Sequence, residues 1–92
     1  MKFMSTYSII PGTVQELAEK FLAGEAAPTP GVTILGRWHK ADCSGRFSLY
    51  ETDNAALLHL GAAKWADLLD ITIVPVIEDA EAGANLAAIY RK

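Results

Sequence analysis

Four stretches of the chain combine β-branched and aromatic residues with interleaved polar ones, a composition typical of β-strands. They are residues 2–10, 32–39, 46–51 and 71–77, and the Pro11-Gly12 pair ends the first of them abruptly. The tight loop at residues 42–45 separates the second stretch from the third, so we expect these two to form a hairpin.

Three further stretches place apolar residues at helical spacing. The first begins at Thr13-Val14-Gln15-Glu16, which matches a capping box, and ends at Gly24. Asp53 is the expected N-cap of the second helix, which Asp70 ends. Its apolar stripe comprises Leu58, Ala62, Trp65 and Leu69. The Ala-rich segment 78–92 predicts a short third helix.

The predicted order is β-α-β-β-α-β-α, a split β-α-β arrangement with an appended C-terminal helix. Two right-handed crossovers then give one four-stranded antiparallel sheet with both main helices on one face. The sequence therefore predicts an α+β fold of the ferredoxin-like kind, with residues 1–92 as a single domain.

Successive side chains of a strand point to opposite faces, so each predicted strand offers two sets of residues. One set is large and apolar apart from Ser5 and Glu51, and we expect it to lie under the helices: Phe3, Tyr7, Ile9, Val32, Ile34, Trp38, Phe47, Leu49, Ile71, Ile73 and Ile77. The other set is mixed: Met4, Thr6, Ser8, Thr33, Leu35, Arg37, His39, Arg46, Ser48, Tyr50, Thr72, Val74 and Val76. A mixed face of this kind predicts cover by the same face of a second copy, in an isologous homodimer that encloses a lumen.

Composition narrows the class of protein. The 92 residues are 51% hydrophobic and 21% charged, which indicates a globular chain with a modest core. The net charge of −3 comes without a cluster of basic residues, so we expect no nucleic-acid partner. No apolar run is long enough for a membrane span, and the first residues have no signal-peptide pattern, which predicts a cytoplasmic protein without a membrane partner.

Cofactor and metal sites have no support in the sequence. The single cysteine, Cys43, lies in a predicted loop and excludes an internal disulfide and a Cys-based zinc site. His59 has no second ligand at a useful spacing, and no glycine-rich phosphate loop is present. We therefore expect neither a metal nor a cofactor.

Three segments carry a resemblance to a known family: Gly36-Arg37-Trp38-His39, residues 50–53, and residues 65–70 running into Val74-Pro75-Val76. Together they resemble an uncharacterised domain-of-unknown-function family within the dimeric α/β barrel superfamily, over nearly the whole chain. The resemblance implies the fold and a homodimer. Relatives in that superfamily include cofactor-free monooxygenases, isomerases and dehalogenase-like proteins, but the resemblance implies no activity for this chain.

Candidate chemistry lies on the mixed set. His39 is the candidate catalytic base, and a hydrogen bond at the hairpin mouth is the alternative. Arg37 and Arg46 are candidate ligands for a carboxylate or phenolate, unless they pair with acidic groups such as Asp42. Ser48 and Tyr50 complete the candidate ligand-binding set. We expect both tryptophans, Trp38 and Trp65, to pack in the core.

Three functions remain open from the sequence. The first is a homodimeric protein that binds a small organic ligand, in a lumen between sheet and helices or between two sheets. The second is a cofactor-free enzyme of monooxygenase or isomerase type in the same lumen, with His39 as base. The third is a non-catalytic interaction protein whose partner fills the lumen. Buried polar residues favour ligand binding over plain interaction, because they cost free energy unless something pairs with them.

Overall fold

A computed structural model describes residues 1–91 and confirms the predicted α+β fold. Its elements are β1 (Lys2–Ile9), α1 (Val14–Leu22), β2 (Thr33–His39), β3 (Gly45–Glu51), α2 (Ala55–Ala63), β4 (Leu69–Val76) and α3 (Asp79–Tyr90). The strands form one antiparallel sheet in the order β2-β3-β1-β4. This order is that of the ferredoxin-like fold, and β1 lies in its centre.

The core lies where α1 and the end of α2 meet the sheet. Its buried apolar cluster comprises Tyr7, Ala26, Trp65, Leu68 and Leu69, with Ile9, Leu17, Phe21 and Ile71 packed against it. α2 ends at Ala63, six residues before the end predicted from its apolar stripe, and a turn then leads to β4, which begins at Leu69. The turn allows Trp65 and Leu68 to bury their side chains under the sheet rather than along a continuing helix.

Both predicted helix caps need correction. Thr13 precedes α1 as expected, but its hydroxyl donates to the carbonyls of Ile10 (2.7 Å) and Leu68 (3.1 Å) instead of capping the helix. The bond to Leu68 ties the start of α1 to the turn after α2. For α2 the cap is Asn54, not Asp53, because the Asn54 side chain accepts the amide of Ala56 at 3.0 Å.

The predicted faces are confirmed for β1 and β4 and are wrong for β3 and half of β2. Tyr7 is buried under the helices, and the antiparallel register places Arg46 opposite it, so Arg46 faces the helices too. A bulge between Ile34 and Gly36 adds one residue to β2 and reverses the alternation beyond it. The residues that change from the open face to the helix face are Arg37, His39, Arg46, Ser48 and Tyr50.

The open face of the sheet consequently carries the large apolar side chains that were expected in the core. Trp38 is 57% exposed and pairs across the hairpin with Phe47, which is 39% exposed. The Trp38 ring lies over Gly36, where an added Cβ would come within 2.3 Å of it. The prediction that Trp38 is buried is therefore wrong, whereas Trp65 is buried as predicted.

α3 extends away from the sheet and the other two helices. The molecule measures 55 × 29 × 18 Å with a radius of gyration of 15.9 Å, against about 12 Å for a compact domain of this length. No residue of α3 is buried, and Leu86, Ile89 and Tyr90 are 59%, 60% and 79% exposed. Within residues 1–91, these apolar side chains of α3 are therefore left largely uncovered.

Candidate functional site

Polar side chains lie side by side on the helix face of the sheet. Antiparallel pairing places Tyr7 opposite Arg46, and Ser5 opposite Ser48 in the next row. Arg37 of β2 lies on the other side of Ser48. The strands β2, β3 and β1 thus bring hydroxyl and guanidinium groups together beneath α2 and the segment before β2, where a ferredoxin-like sheet usually carries apolar residues.

The tyrosines Tyr7 and Tyr50 form a hydrogen-bonded pair, with 2.5 Å between the two phenol oxygens. Burial raises the pKa of Tyr7. Burial would also raise the pKa of Tyr50, but the neighbouring Tyr7, Ser48 and Arg37 outweigh it and hold that pKa below its ordinary value. Either phenol can donate this hydrogen bond, and Tyr50 is the phenol that ionises more readily.

Arg46 is a buried cation, with 7% of its surface exposed. Its guanidinium carbon lies 4.8 Å from the centre of the Tyr7 ring, 5.4 Å from that of Trp65 and 5.7 Å from that of Phe21. Burial, and then the charge of Arg37, lowers the pKa of Arg46. Its positive charge is thus stabilised by aromatic rings and not by a carboxylate.

Arg37 connects the sheet to the segment that follows α1. Its Nη2 donates to the carbonyl of Ala26 at 2.9 Å, which holds the 26–29 segment over the sheet. Within residues 1–91 the ion pairs are Met1 with Asp53 and Lys2 with Glu78, and neither arginine of this cluster takes part in one. The predicted alternative of a pair with Asp42 is not formed, because the Asp42 carboxylate accepts the hydroxyl and amide of Ser44.

Several buried polar atoms of the cluster have no hydrogen-bond partner among residues 1–91. They are the hydroxyls of Ser5 and Ser48, both on fully buried residues, and Nε of Arg37. Both serines lie close enough to lower the pKa of Tyr7, and Ser48 also lowers that of Tyr50, although neither serine hydroxyl makes a well-aligned hydrogen bond. Buried groups of this kind nearly always have a hydrogen-bond partner, so water or a ligand is expected beside them.

A cavity of about 60 Å³ adjoins these groups, between the sheet, α2 and the 26–29 segment. Arg37, Arg46, Tyr7 and Tyr50 form its polar wall, and its apolar wall includes Val32, Leu57, Leu58, Trp65, Ile71 and Ile73. At about 15 Å³ for each water molecule, the space holds a few waters. Two cations and two phenols facing an apolar wall can hold a small organic anion and exchange a proton with it.

The structure brings Arg37, Arg46 and Tyr50 to one cavity, and Ser48 lies beneath them on β3. His39 lies apart: it does not line this cavity, and its ring packs edge-on against Phe21 with centroids 5.4 Å apart. Sequence reasoning missed Tyr7, which was assigned to the core. Its alternation with Ser5 on a predicted core face was the available signal, because a buried serine beside a tyrosine hydroxyl indicates a polar site within the core.

Residues 1–91 offer neither a metal site nor a membrane-spanning helix. No group of three or more His, Cys, Asp or Glu side chains there could hold a metal ion. Within the same residues, no helix has the length and apolar character that crossing a bilayer requires.

The family model described as "Domain of unknown function (DUF3303)" matches residues 1–90, so the chain belongs to that family. No curated protein matches the chain. Among solved structures, it is similar to 5-chloro-2-hydroxyhydroquinone dehydrochlorinase (TftG) from Burkholderia phenoliruptrix AC1100, in complex with 2,5-dihydroxybenzoquinone. The TM-score is 0.67 at 16% identity, and the match covers 88% of this chain and 98% of that one. At this identity the similarity supports the fold alone, and it confirms the α/β barrel type of fold.

Proposed function

We propose that this member of the DUF3303 family binds a small organic anion in the cavity between its sheet and its helices. The observation that carries the proposal is the pair Arg37 and Arg46, which lines the cavity without a carboxylate partner among residues 1–91. A buried cation without a counter-ion costs several kcal/mol, and an anionic ligand would offset that cost.

The chemistry of the other lining groups narrows the ligand class. Tyr50 can accept or donate a hydrogen bond at the cavity wall, and Trp65 with Ile73 offers flat and aliphatic surface opposite. A ring that carries an acidic oxygen satisfies both walls at once. The ligand of the similar dehydrochlorinase, 2,5-dihydroxybenzoquinone, is a compound of this kind, which supports its use as a probe.

The proposal is tested by calorimetric titration with benzoate, benzamide and 2,5-dihydroxybenzoquinone. We expect benzoate and the quinone to bind, and benzamide, which has the shape of benzoate without its charge, to bind at least tenfold more weakly. A charge-assisted hydrogen bond of about 1.5–3 kcal/mol accounts for that difference. Equal binding of benzoate and benzamide would contradict an anion site.

Matched variants locate the binding. Arg37→Met and Tyr50→Phe should each weaken benzoate binding, whereas Arg91→Met and Tyr90→Phe should not, because both control residues are exposed and lie outside the cavity. Each control removes the same chemical group as its counterpart. A loss that is equal in the site variants and the controls would place binding elsewhere on the protein.

The proposal includes a homodimer formed through the open face of the sheet. Trp38, Phe47 and Val74 are 57%, 39% and 46% exposed there, and a contiguous apolar surface of this kind is typical of an interface. Four strands of seven to eight residues give a flat face of roughly 450 Å², less than the ~800 Å² that each partner of a stable pair usually buries. The exposed apolar residues of α3 can supply the remainder.

A second candidate function is a cofactor-free enzyme that acts in the same cavity. The hydrogen bond of 2.5 Å between Tyr7 and Tyr50, with Tyr50 the more acidic phenol, favours Tyr50 over the predicted His39 as the acid–base group. Incubation of ring-hydroxylated acids with the protein, followed by mass spectrometry, separates the two functions. Turnover that Tyr50→Phe abolishes and His39→Ala preserves would support the enzyme, and binding without turnover supports the binding protein.

A further inference from the structure

A second cavity, of about 250 Å³, lies at the other end of the helix face, between α1 and the β2–β3 hairpin. Its walls are largely apolar and comprise Ile9, Leu17, Ala18, Phe21 and Leu69, with Cys43 in the hairpin loop at one side. The cavity is several times larger than the one that Arg37 lines. Its size and lining suit the body of an apolar molecule.

Arg46 lies between the two cavities and lines both. Its guanidinium lies among three aromatic rings. Those of Tyr7 and Trp65 line the first cavity, and that of Phe21 lines the second. No Asp or Glu lines the second cavity. A buried cation therefore forms part of the wall of this largely apolar space.

The other polar residues of the second cavity do not neutralise this cation. The His39 ring packs edge-on against Phe21 and continues the wall. Lys40 contributes to the lining, but its ammonium lies over the Phe47 ring at 5.4 Å. Arg46 is thus the buried cation that an anionic ligand in this space would meet.

We infer that this second cavity is a binding site for an apolar monoanion, such as a medium-chain carboxylic acid, whose charged head meets Arg46 and whose chain packs between α1 and the hairpin. Burial against Leu17, Phe21 and Leu69 stabilises an apolar ligand body. A polar body would lose free energy there, because these walls offer its polar groups no hydrogen-bond partner. The site is separate from that of the proposed function: its walls come from α1 and the hairpin, and its volume of about 250 Å³ accommodates a flexible apolar chain, whereas the first cavity measures about 60 Å³.

Cys43 provides a direct readout, because it is the single cysteine of the chain, is exposed, and lines the second cavity. The rate of its alkylation by iodoacetamide is measured at increasing concentrations of hexanoate, hexanol or hexylamine. We expect hexanoate to slow alkylation at least threefold, hexanol to require at least tenfold higher concentration, and hexylamine to have no effect. Equal protection by hexanoate and hexylamine, or none by hexanoate, would overturn the inference.

Variants separate this site from the first one. Ala18→Phe fills the second cavity and should abolish protection by hexanoate, whereas Gln15→Phe adds the same ring at an exposed position of α1 outside the cavity and should preserve it. Circular dichroism and the Tm establish that both variants are folded. Arg37→Met, which alters only the first cavity, should preserve the hexanoate effect while benzoate binding is lost. Protection that persists in Ala18→Phe, or disappears in Arg37→Met, would refute a separate site.

Discussion

Replacement of Arg46 by methionine tests whether the protein maintains this buried cation for a ligand rather than for its own stability. Burial of an unpaired cation costs roughly 3–5 kcal/mol, and Arg46 has no carboxylate partner among residues 1–91. Three aromatic rings have their centres within 5.7 Å of the guanidinium carbon, and each offsets about 1–2 kcal/mol of this cost through a cation–π interaction. The two contributions nearly cancel, and methionine fills most of the same space with a flexible apolar chain.

We therefore expect the free energy of unfolding of Arg46→Met to lie within about 1 kcal/mol of the wild-type value, because the lost charge and the lost ring contacts offset each other. Arg46→Ala, which also removes the packing of the side-chain stem, should lose about 2–4 kcal/mol. Urea denaturation followed by tryptophan fluorescence measures both, and Trp65 lies close enough to Arg46 to report on the site.

Urea denaturation in the presence of benzoate measures whether the Arg46→Met substitution weakens ligand binding. At a benzoate concentration 100 times the wild-type Kd, binding should raise the free energy of unfolding of the wild type by about 2.7 kcal/mol. If the variant binds 100-fold more weakly, its gain is only about 0.4 kcal/mol. A destabilisation of Arg46→Met by more than about 3 kcal/mol, or an undiminished benzoate effect, would refute the account of Arg46 as an anion-binding group.

Three further predictions follow from other parts of the structure. Phenolate absorbance during alkaline titration should show Tyr50 ionising below its ordinary pKa, and Arg37→Met should raise that pKa because it removes a cation that favours the phenolate. Gly45→Ala should lower the free energy of unfolding by at least ~2 kcal/mol in urea denaturation, because the added Cβ would meet the Tyr7 carbonyl oxygen at 1.8 Å, and a smaller loss would contradict this close approach. Phe47→Lys should convert the proposed dimer to monomers in light scattering, and an unchanged mass would exclude the open sheet face as the interface.

The order of elements could be predicted from the sequence because each element has a distinct local pattern and the turns between them are marked by Pro, Gly and Asp. Which residues of β2 and β3 face the helices could not be predicted in this way. The bulge at Ile34 and Gly36 inserts a residue without a mark in the hydrophobic pattern, and it reverses the direction of Arg37 and His39.

The prediction for β3 failed for a different reason. It assumed that the apolar set of a strand lies under the helices, but here Phe47 faces the open side, and Arg46 and Tyr50 face the helices. That assumption holds for a sheet whose open face is polar. It fails here, because the open face carries large apolar side chains and the helix face contains a polar cavity. The choice of Arg37, Arg46 and Tyr50 as ligand-binding residues remains a prediction, although its original ground, a mixed open face, is wrong.

The most direct test of the central proposal is a crystal structure of the protein grown with saturating benzoate. The account predicts one benzoate on the helix side of the sheet, with its carboxylate within about 3 Å of the guanidinium groups of Arg37 or Arg46 and its ring against Trp65. A benzoate bound on the open face of the sheet, between Trp38 and a partner subunit, would contradict it, as would an unoccupied helix-side cavity at that concentration.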